Sequence, residues 1–356
     1  MAWFRAGGGG IPSSLKSDMN DVFNKKFGTV LQNYPPDEWP ADVNLMGPLP
    51  ERTVSGSVVA FADGADDVPL KSCAVTIAPT LDGVSSVNVV SAGKNLFTDE
   101  NKVNGYLNVD GDLVSATGWF VTDYIRIAPS TEYTFTSGSS AGASPRTILY
   151  DKSKTMVQAI NTGNRTFTTH ASAYYIRISY RSTDTDIQLE IGSSSTDYAP
   201  HISTTHTANL GRTIYGGSVD VVNGTGTETA GKAVFTGSET WQLYSNETFW
   251  YTTLTADNIK TLQNCTTSNG VVVLYQSTNG QLRVYLSSNV GVVDTTTDMN
   301  ALLSNGVSFA YPYETPEAFT FDPVPIDSRY GDNTIWSDNG DLEVTYRRDI
   351  DLALAQ

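Results

Sequence analysis

"GDNTIWSDNGDLEVTYRRD", residues 331–349, decides how the chain is read. Asn339-Gly340 stands between Ile335-Trp336 and the alternating run Leu342, Val344, Tyr346. Asn-Gly favours a tight turn at positive φ, so the stretch predicts a β-hairpin with Leu342, Val344 and Tyr346 facing inward. A stretch of this kind belongs to a β-protein and carries no obvious catalytic motif.

The composition extends that reading to the whole chain. Its 356 residues allow two or three domains at roughly 100–200 residues each. Apolar residues make up 39% and charged residues only 17%, which permits real cores. Eighteen Tyr, thirteen Phe and six Trp suit pleated, half-buried strands. The class expected is mainly β, a multi-domain β-sandwich with a short N-terminal helix and a flexible arm. The formal charge is −16, from 22 Lys+Arg and 38 Asp+Glu. Nucleic-acid binding needs clustered cations, and Lys25-Lys26 and Arg347-Arg348 are the only adjacent basic pairs, so no nucleic-acid partner is expected. The acidity suits a crowded surface that must stay soluble. Cys73 and Cys265 stand far apart and read as buried thiols, without CxxC chemistry or a disulfide framework. No run approaches the ~18 apolar residues of a membrane span, and no secretory signal is read at the N-terminus.

Four regions follow along the chain. Residues 1–48 hold an arm with Trp3 and Phe4, four glycines, and an amphipathic helix on which Leu15, Met19, Val22 and Phe23 share a face. Those six side chains are the expected docking and oligomerisation residues. The region ends in a proline-rich connector with Trp39 and Met46 as anchors. Residues 49–93 read as a β linker of short strands and Gly/Pro/Asp turns. Residues 94–210 alternate most regularly: in "AYYIRISYRSTDTDIQLEIG" (173–192), Tyr174, Ile176, Ile178 and Tyr180 form a core face, and Tyr175, Arg177, Ser179 and Arg181 a wetter one. Residues 211–356 form a further β-sandwich module, with a second hairpin expected at Asn279-Gly280. Short helical insertions are expected near 256–263 and 297–303.

Several of these stretches resemble a known family. "GKNLF" (93–97), "ILYDKSK" (148–154), "YIRISY" (175–180) and "IQLEIGSSSTDYAPH" (187–201) are similar to the carbohydrate-binding-module-like jelly roll of tail-tip and baseplate proteins. Those proteins belong to long-tailed phages and prophages of Gram-positive bacteria. "TIYGGSVDVVNGTG" (213–226) and "YETPEAFTFDPVPIDSRYGDNTIWSDNGDLEVTYRRD" (313–349) resemble the module that follows the jelly roll, and "LMGPLPERTVSGSVVAFADGADDVPLKSCAVTI" (45–77) the segment that precedes it. The likeness covers roughly residues 45–350. It implies a jelly-roll-like sandwich in a virion structural protein near the tail tip, homo-oligomeric and often trimeric, that supports or performs attachment to host-surface glycan. Its partners would be other virion proteins, and its place the virion after synthesis in the host cytoplasm. "VVNGTGTETAG" (221–231) departs from the family's plainer Thr/Gly hairpin.

A glycan site needs aromatic faces and a few orienting polar groups. Trp119, Tyr124, Arg126, Tyr175, Arg177 and Arg181 are the candidates, because Tyr124 with Arg126, and Tyr175 with Arg177 and Arg181, fall on outward faces of alternating runs. The competing reading of the same residues is an ordinary sheet surface or a subunit interface, and Trp119 also suits a core. Trp241, Trp250 and Trp336 read as core residues or hairpin anchors. His170, His201 and His206 lack ligand spacing, and Asp63, Asp66 and Asp67 suit an acidic turn better than a calcium loop. No metal and no cofactor are expected. Glu190 reads as a strand-end carboxylate with local hydrogen bonds. No phosphate loop, GxSxG or cysteine beside a base appears, so no enzyme is expected. The alternatives are a head fibre or capsid decoration protein anchored by its N-terminus, and, further off, a polysaccharide depolymerase.

Overall fold

The computed structural model describes residues 51–347 apart from 64–67, 138–145, 162–164, 244–249, 253–265, 268–271, 277–281, 287–299 and 302–306. The chain is mainly β, built from several antiparallel sheets. The arm and helix residues Trp3, Phe4, Leu15, Met19, Val22 and Phe23 lie outside the described residues. So do Trp39, Met46, Asp66, Asp67, Cys265, Asn279-Gly280 and the insertion at 256–263. Of the insertion at 297–303, Asn300 and Ala301 are described, both helical.

An outer sandwich gathers strands from both ends of the described chain. Its larger sheet runs Glu51–Gly56, Asp341–Arg347, Ser72–Ile77, Gly217–Asp220, Thr225–Phe235, Val307–Thr320, Thr266–Thr267. Its smaller sheet runs Ser203–Ile214, Val84–Ala92, Gly331–Ser337, Val58–Asp63. Between them lies one core that includes Val75, Val87, Val89, Leu210, Val219, Ile335 and Val344. Alternate burial is clearest in Asp341–Arg347, where Leu342, Val344 and Tyr346 face in. The stretch 49–93 is therefore woven into the sandwich: Glu51–Gly56 pairs with Asp341–Arg347, and Val84–Ala92 pairs with both Ser203–Ile214 and Gly331–Ser337.

The expected hairpin at 331–349 is an arch instead. Gly331–Ser337 pairs with strands of the smaller sheet and Asp341–Arg347 with strands of the larger one, so the turn between them crosses the sandwich. Gly340 does not take a left-handed φ. It is glycine because a Cβ there would lie 1.7 Å from the Thr76 carbonyl oxygen of the neighbouring strand. Asn339 turns its side chain to the opposite sheet, where Oδ1 accepts the Asn88 backbone N–H at 3.1 Å. Inward placement of Leu342, Val344 and Tyr346 was legible; the sheet they join was not. Arg347 meets Glu51 across the strand pair, at 3.8 Å between partly exposed side chains.

A second unit is inserted between Val84–Ala92 and Ser203–Ile214. One of its sheets runs Met156–Asn161, Arg146–Tyr150, Tyr175–Arg181, Trp119–Val121, Val103–Asn104, with Ile125–Arg126 also paired to Tyr175–Arg181. The other runs Arg165–Thr168, Glu132–Thr136, Gln188–Ile191. Ile176, Ile178, Tyr133, Phe135, Leu149 and Leu189 fill the space between them. The chain enters after Ala92 and leaves before Ser203, and those two residues face each other in one ladder. A unit whose ends are neighbours can be inserted without disturbing its host sheet.

Candidate functional site

Two of the quoted stretches, 93–97 and 187–201, meet at the neck of the inserted unit. The Asn95 side chain donates to the carbonyls of Ile187 (3.0 Å) and Ala199 (2.8 Å) and accepts the N–H groups of Phe97 (2.9 Å) and Leu189 (3.1 Å). Gln188 donates to Glu190 at 2.8 Å and accepts the Ala199 N–H at 2.9 Å. Glu190, 3% exposed, further accepts the Thr196 N–H at 3.0 Å and its hydroxyl at 2.6 Å. His201 Nδ1 lies 2.7 Å from the Asn95 carbonyl. A buried polar group is costly unless bonded, and here each partner completes another. "GKNLF" and "IQLEIGSSSTDYAPH" thus form a clasp that closes the unit at its entry and exit. Glu190 holds local backbone, as its position at a strand end suggested. The sequence alone does not show this role, which depends on residues about one hundred positions apart meeting in space.

The six candidate glycan residues divide into three places. Tyr124 and Tyr175 come together, edge to face, with ring centroids 5.6 Å apart; Tyr150 meets Tyr124 at 5.1 Å and Tyr174 meets Tyr175 at 4.8 Å. Arg177 joins them, its guanidinium 4.9 Å from the centre of the Tyr124 ring and its Nε donating to the Thr122 carbonyl at 3.0 Å. Lys154, from the 151–155 turn, lies 4.6 Å from the same ring and 6.0 Å from that of Tyr175. Lys152 lies 5.6 Å from the Tyr174 ring. Burial raises the Tyr150, Tyr174 and Tyr175 phenols above their usual range, and neighbouring guanidinium groups offset part of that rise. These hydroxyls are therefore neutral donors at neutral pH.

Trp119 and Arg181 are paired across neighbouring strands at the far end of the same face, with the guanidinium 5.0 Å from the indole and Tyr106 6.0 Å away. They do not join the tyrosine cluster, because Ser179, between Arg177 and Arg181, is completely buried. Its Oγ accepts the Leu107 N–H at 2.9 Å, and Leu107 seats with Val121, Ile148 and Tyr150 in a small second core. The face expected to be wet is covered at its middle by the hairpin Tyr106–Leu107 with Leu113–Val114. The available signal was Asp110-Gly111 between Leu107 and Leu113, with Gly111 at φ 84°.

Arg126 is no surface residue. It is 4% exposed, and its guanidinium lies 3.2 Å from the centre of the Tyr174 ring. It donates to the carbonyls of Ile127, Tyr174 and Ser57, the last two at 3.1 and 3.2 Å, and faces Asp338 of the arch at 4.0 Å. Ser57 and Asp338 belong to the outer sandwich. Both faces of Ile125–Arg126 are covered, one by its own core and the other by the sandwich, so alternation could not expose this side chain. Arg126 joins the two units, beside Trp336, which packs against both cores. Burial lowers its pKa, opposed by the nearby tyrosines and Asp338.

Elsewhere, Trp241 is buried against Phe235 at 5.1 Å, and the side chain of Trp250 lies outside the described residues. Burial pushes the Cys73 thiol up to about 12, which leaves it unreactive at neutral pH. Among the described residues no three His, Cys, Asp or Glu side chains gather as a metal-ligand group.

No protein-family model matches the chain, and no curated protein does. A solved structure of the infectious bursal disease virus Gx strain aligns with 87% of this chain and 84% of its own, at 7% identity and a TM-score of 0.15. That score is too low for the alignment to carry a fold or a function.

Proposed function

We propose that the chain is a structural protein of a phage virion, placed at the tail tip or baseplate, that supports attachment to host-surface glycan. The inserted unit is read as its carbohydrate-binding-module-like jelly roll and the outer sandwich as the frame that presents it. The observation that carries this reading is the cluster of Tyr124, Tyr175, Arg177 and Lys154 on one sheet of the inserted unit. Clustered tyrosines give apolar edges and hydroxyl donors at little conformational cost, and fixed cations orient a polar ligand. The resemblance of the clasp motifs to those of tail-tip proteins supports the same assignment. A homo-oligomer, with a trimer favoured, would repeat the cluster and raise weak single-site affinity through effective concentration.

Adsorption of the purified chain to host cell walls tests the attachment role. Tyr124→Leu with Tyr175→Leu, which keeps apolar bulk against Leu107, Val121, Ile148 and Tyr150, should lower adsorption at least ~tenfold with the urea unfolding midpoint little changed. An unchanged isotherm removes the cluster from attachment. Release of reducing ends from the wall glycan would instead favour a depolymerase.

A further inference from the structure

From the way the cations cover the rings, we infer that the tyrosine cluster takes an anionic polysaccharide, one bearing phosphodiester or carboxylate groups, and not a neutral one. The inference rests on the attachment reading and names its ligand class. Two cations, Lys154 and Arg177, already sit against the Tyr124 ring, at 4.6 and 4.9 Å. A sugar stacking on that ring would compete with them for contact with it. A ligand arriving from solvent meets the ammonium and guanidinium groups first, and the rings beneath act as their holders. Lys152 repeats the arrangement on Tyr174, at 5.6 Å.

These cations have charge to offer. Among the described residues none of Lys152, Lys154 or Arg177 forms an ion pair with a carboxylate. The carboxylates whose fields reach the cluster include Asp112, felt at Tyr150, Asp338, felt at Tyr174 and Tyr175, and Asp341, felt at Tyr174, and Asp151 stands in the lysine turn itself with its carboxylate on the Thr155 N–H. Asp338 already faces Arg126. On a chain of net charge −16, Lys152, Lys154 and Arg177 gather three positive charges on one tyrosine cluster. With a screening length of about 8 Å at physiological salt, this local field, and not the distant net charge, is what a bound anion feels.

The turn that supplies Lys154 is consistent with such a role. Lys154 has φ 62°, a left-handed conformation that glycine adopts without strain and lysine does not. Asp151 holds it there: the Lys154 N–H donates to the Asp151 carbonyl at 3.0 Å, and the Asp151 carboxylate accepts the Thr155 N–H at 2.8 Å. The geometry projects a lysine where a turn alone would favour glycine.

Titration of the full chain with four polymers tests this: poly(glycerol phosphate), polygalacturonate, neutral dextran and a single-stranded oligodeoxynucleotide. One or both anionic polysaccharides should bind, more weakly as salt rises, and dextran at least ~tenfold more weakly. Binding of only the phosphate or only the uronate polymer identifies which anion is read. Lys152→Gln with Lys154→Gln, both exposed turn positions, should weaken binding about tenfold and flatten its salt dependence. Dextran binding as well as the anionic polymers, or unchanged affinity in the double variant, overturns the anionic assignment while leaving glycan attachment standing. Equal binding of the oligonucleotide overturns it in favour of an indiscriminate polyanion patch. Binding of no polymer together with no adsorption to walls would sink the attachment reading itself.

Discussion

Replacing Arg126 with Met keeps its apolar stem but removes a guanidinium that serves the carbonyls of Ile127, Tyr174 and Ser57. The Tyr174 carbonyl keeps the Ile127 N–H, but the other two lose this donor, and a buried acceptor that loses its partner costs about 1–3 kcal/mol, so the variant should lose about 2–4 kcal/mol in urea unfolding. A loss within experimental error would mean that the guanidinium does not join the units. His206 offers a pH readout in the outer sandwich. Its Nε2 lies 2.9 Å from Ser91 Oγ, and its pKa is lowered first by burial and then by Arg329, against a smaller opposing effect of Asp327. The unfolded histidine takes up its proton near the usual 6.5, whereas the folded one resists until lower pH, so the unfolded state binds more protons in between. Stability is full above about pH 6.5 and declines as pH falls below it. The urea midpoint should drop from roughly pH 7.5 to 5.5 by less in His206→Gln than in the wild type. At this scale the sequence was readable wherever one face met one core. Ile176, Ile178 and Tyr180 are buried as their alternation predicts, and Tyr124, Tyr175 and Arg177 do meet. Ser179 and Arg126 escaped because a hairpin and a second unit cover the faces that alternation left open.

The arch at Asp338–Gly340 shows what a turn signal leaves undecided among elements. Asn-Gly between two alternating runs serves a hairpin within a sheet and an arch between sheets equally well, because the choice lies with partner strands hundreds of residues away. Here Glu51–Gly56 and Ser72–Ile77 claim Asp341–Arg347 from either side, and no edge remains for Gly331–Ser337. Gly340 accordingly answers to packing. Gly340→Ala should cost about 3 kcal/mol, since its Cβ would collide with the Thr76 carbonyl and part Asp341 from Thr76. A variant as stable as the wild type would refute the close approach. The clasp is a comparable case: its motifs were recognisable as text, but their hydrogen bonds join segments that only the fold brings together.

At the scale of the whole molecule, a sandwich closed by strands from residues 51–92 and 307–347 holds an insert whose two ends share a ladder. Linear reading divided the chain into consecutive blocks, since nothing local marks a strand that pairs across an insertion. Replacing residues 94–201 with a short Gly-Ser turn should leave the outer sandwich folded and cooperative, because Ala92 already faces Ser203. Its backbone amide exchange should match that of the full chain except near Ser57 and Asp338, which lose Arg126; collapse of protection throughout would show that the insert is needed to fold its host. The design presents one unit on the frame of another, and the proposed attachment role places that frame at a tail tip. The most direct test of that central claim is cryo-electron microscopy of a phage particle that carries the chain. Density is expected for both β units at the tail tip or baseplate, in several symmetry-related copies, with the Tyr124–Tyr175–Arg177 face of the inserted unit turned away from the particle. Density on the head, or that face buried against another virion protein, would contradict it.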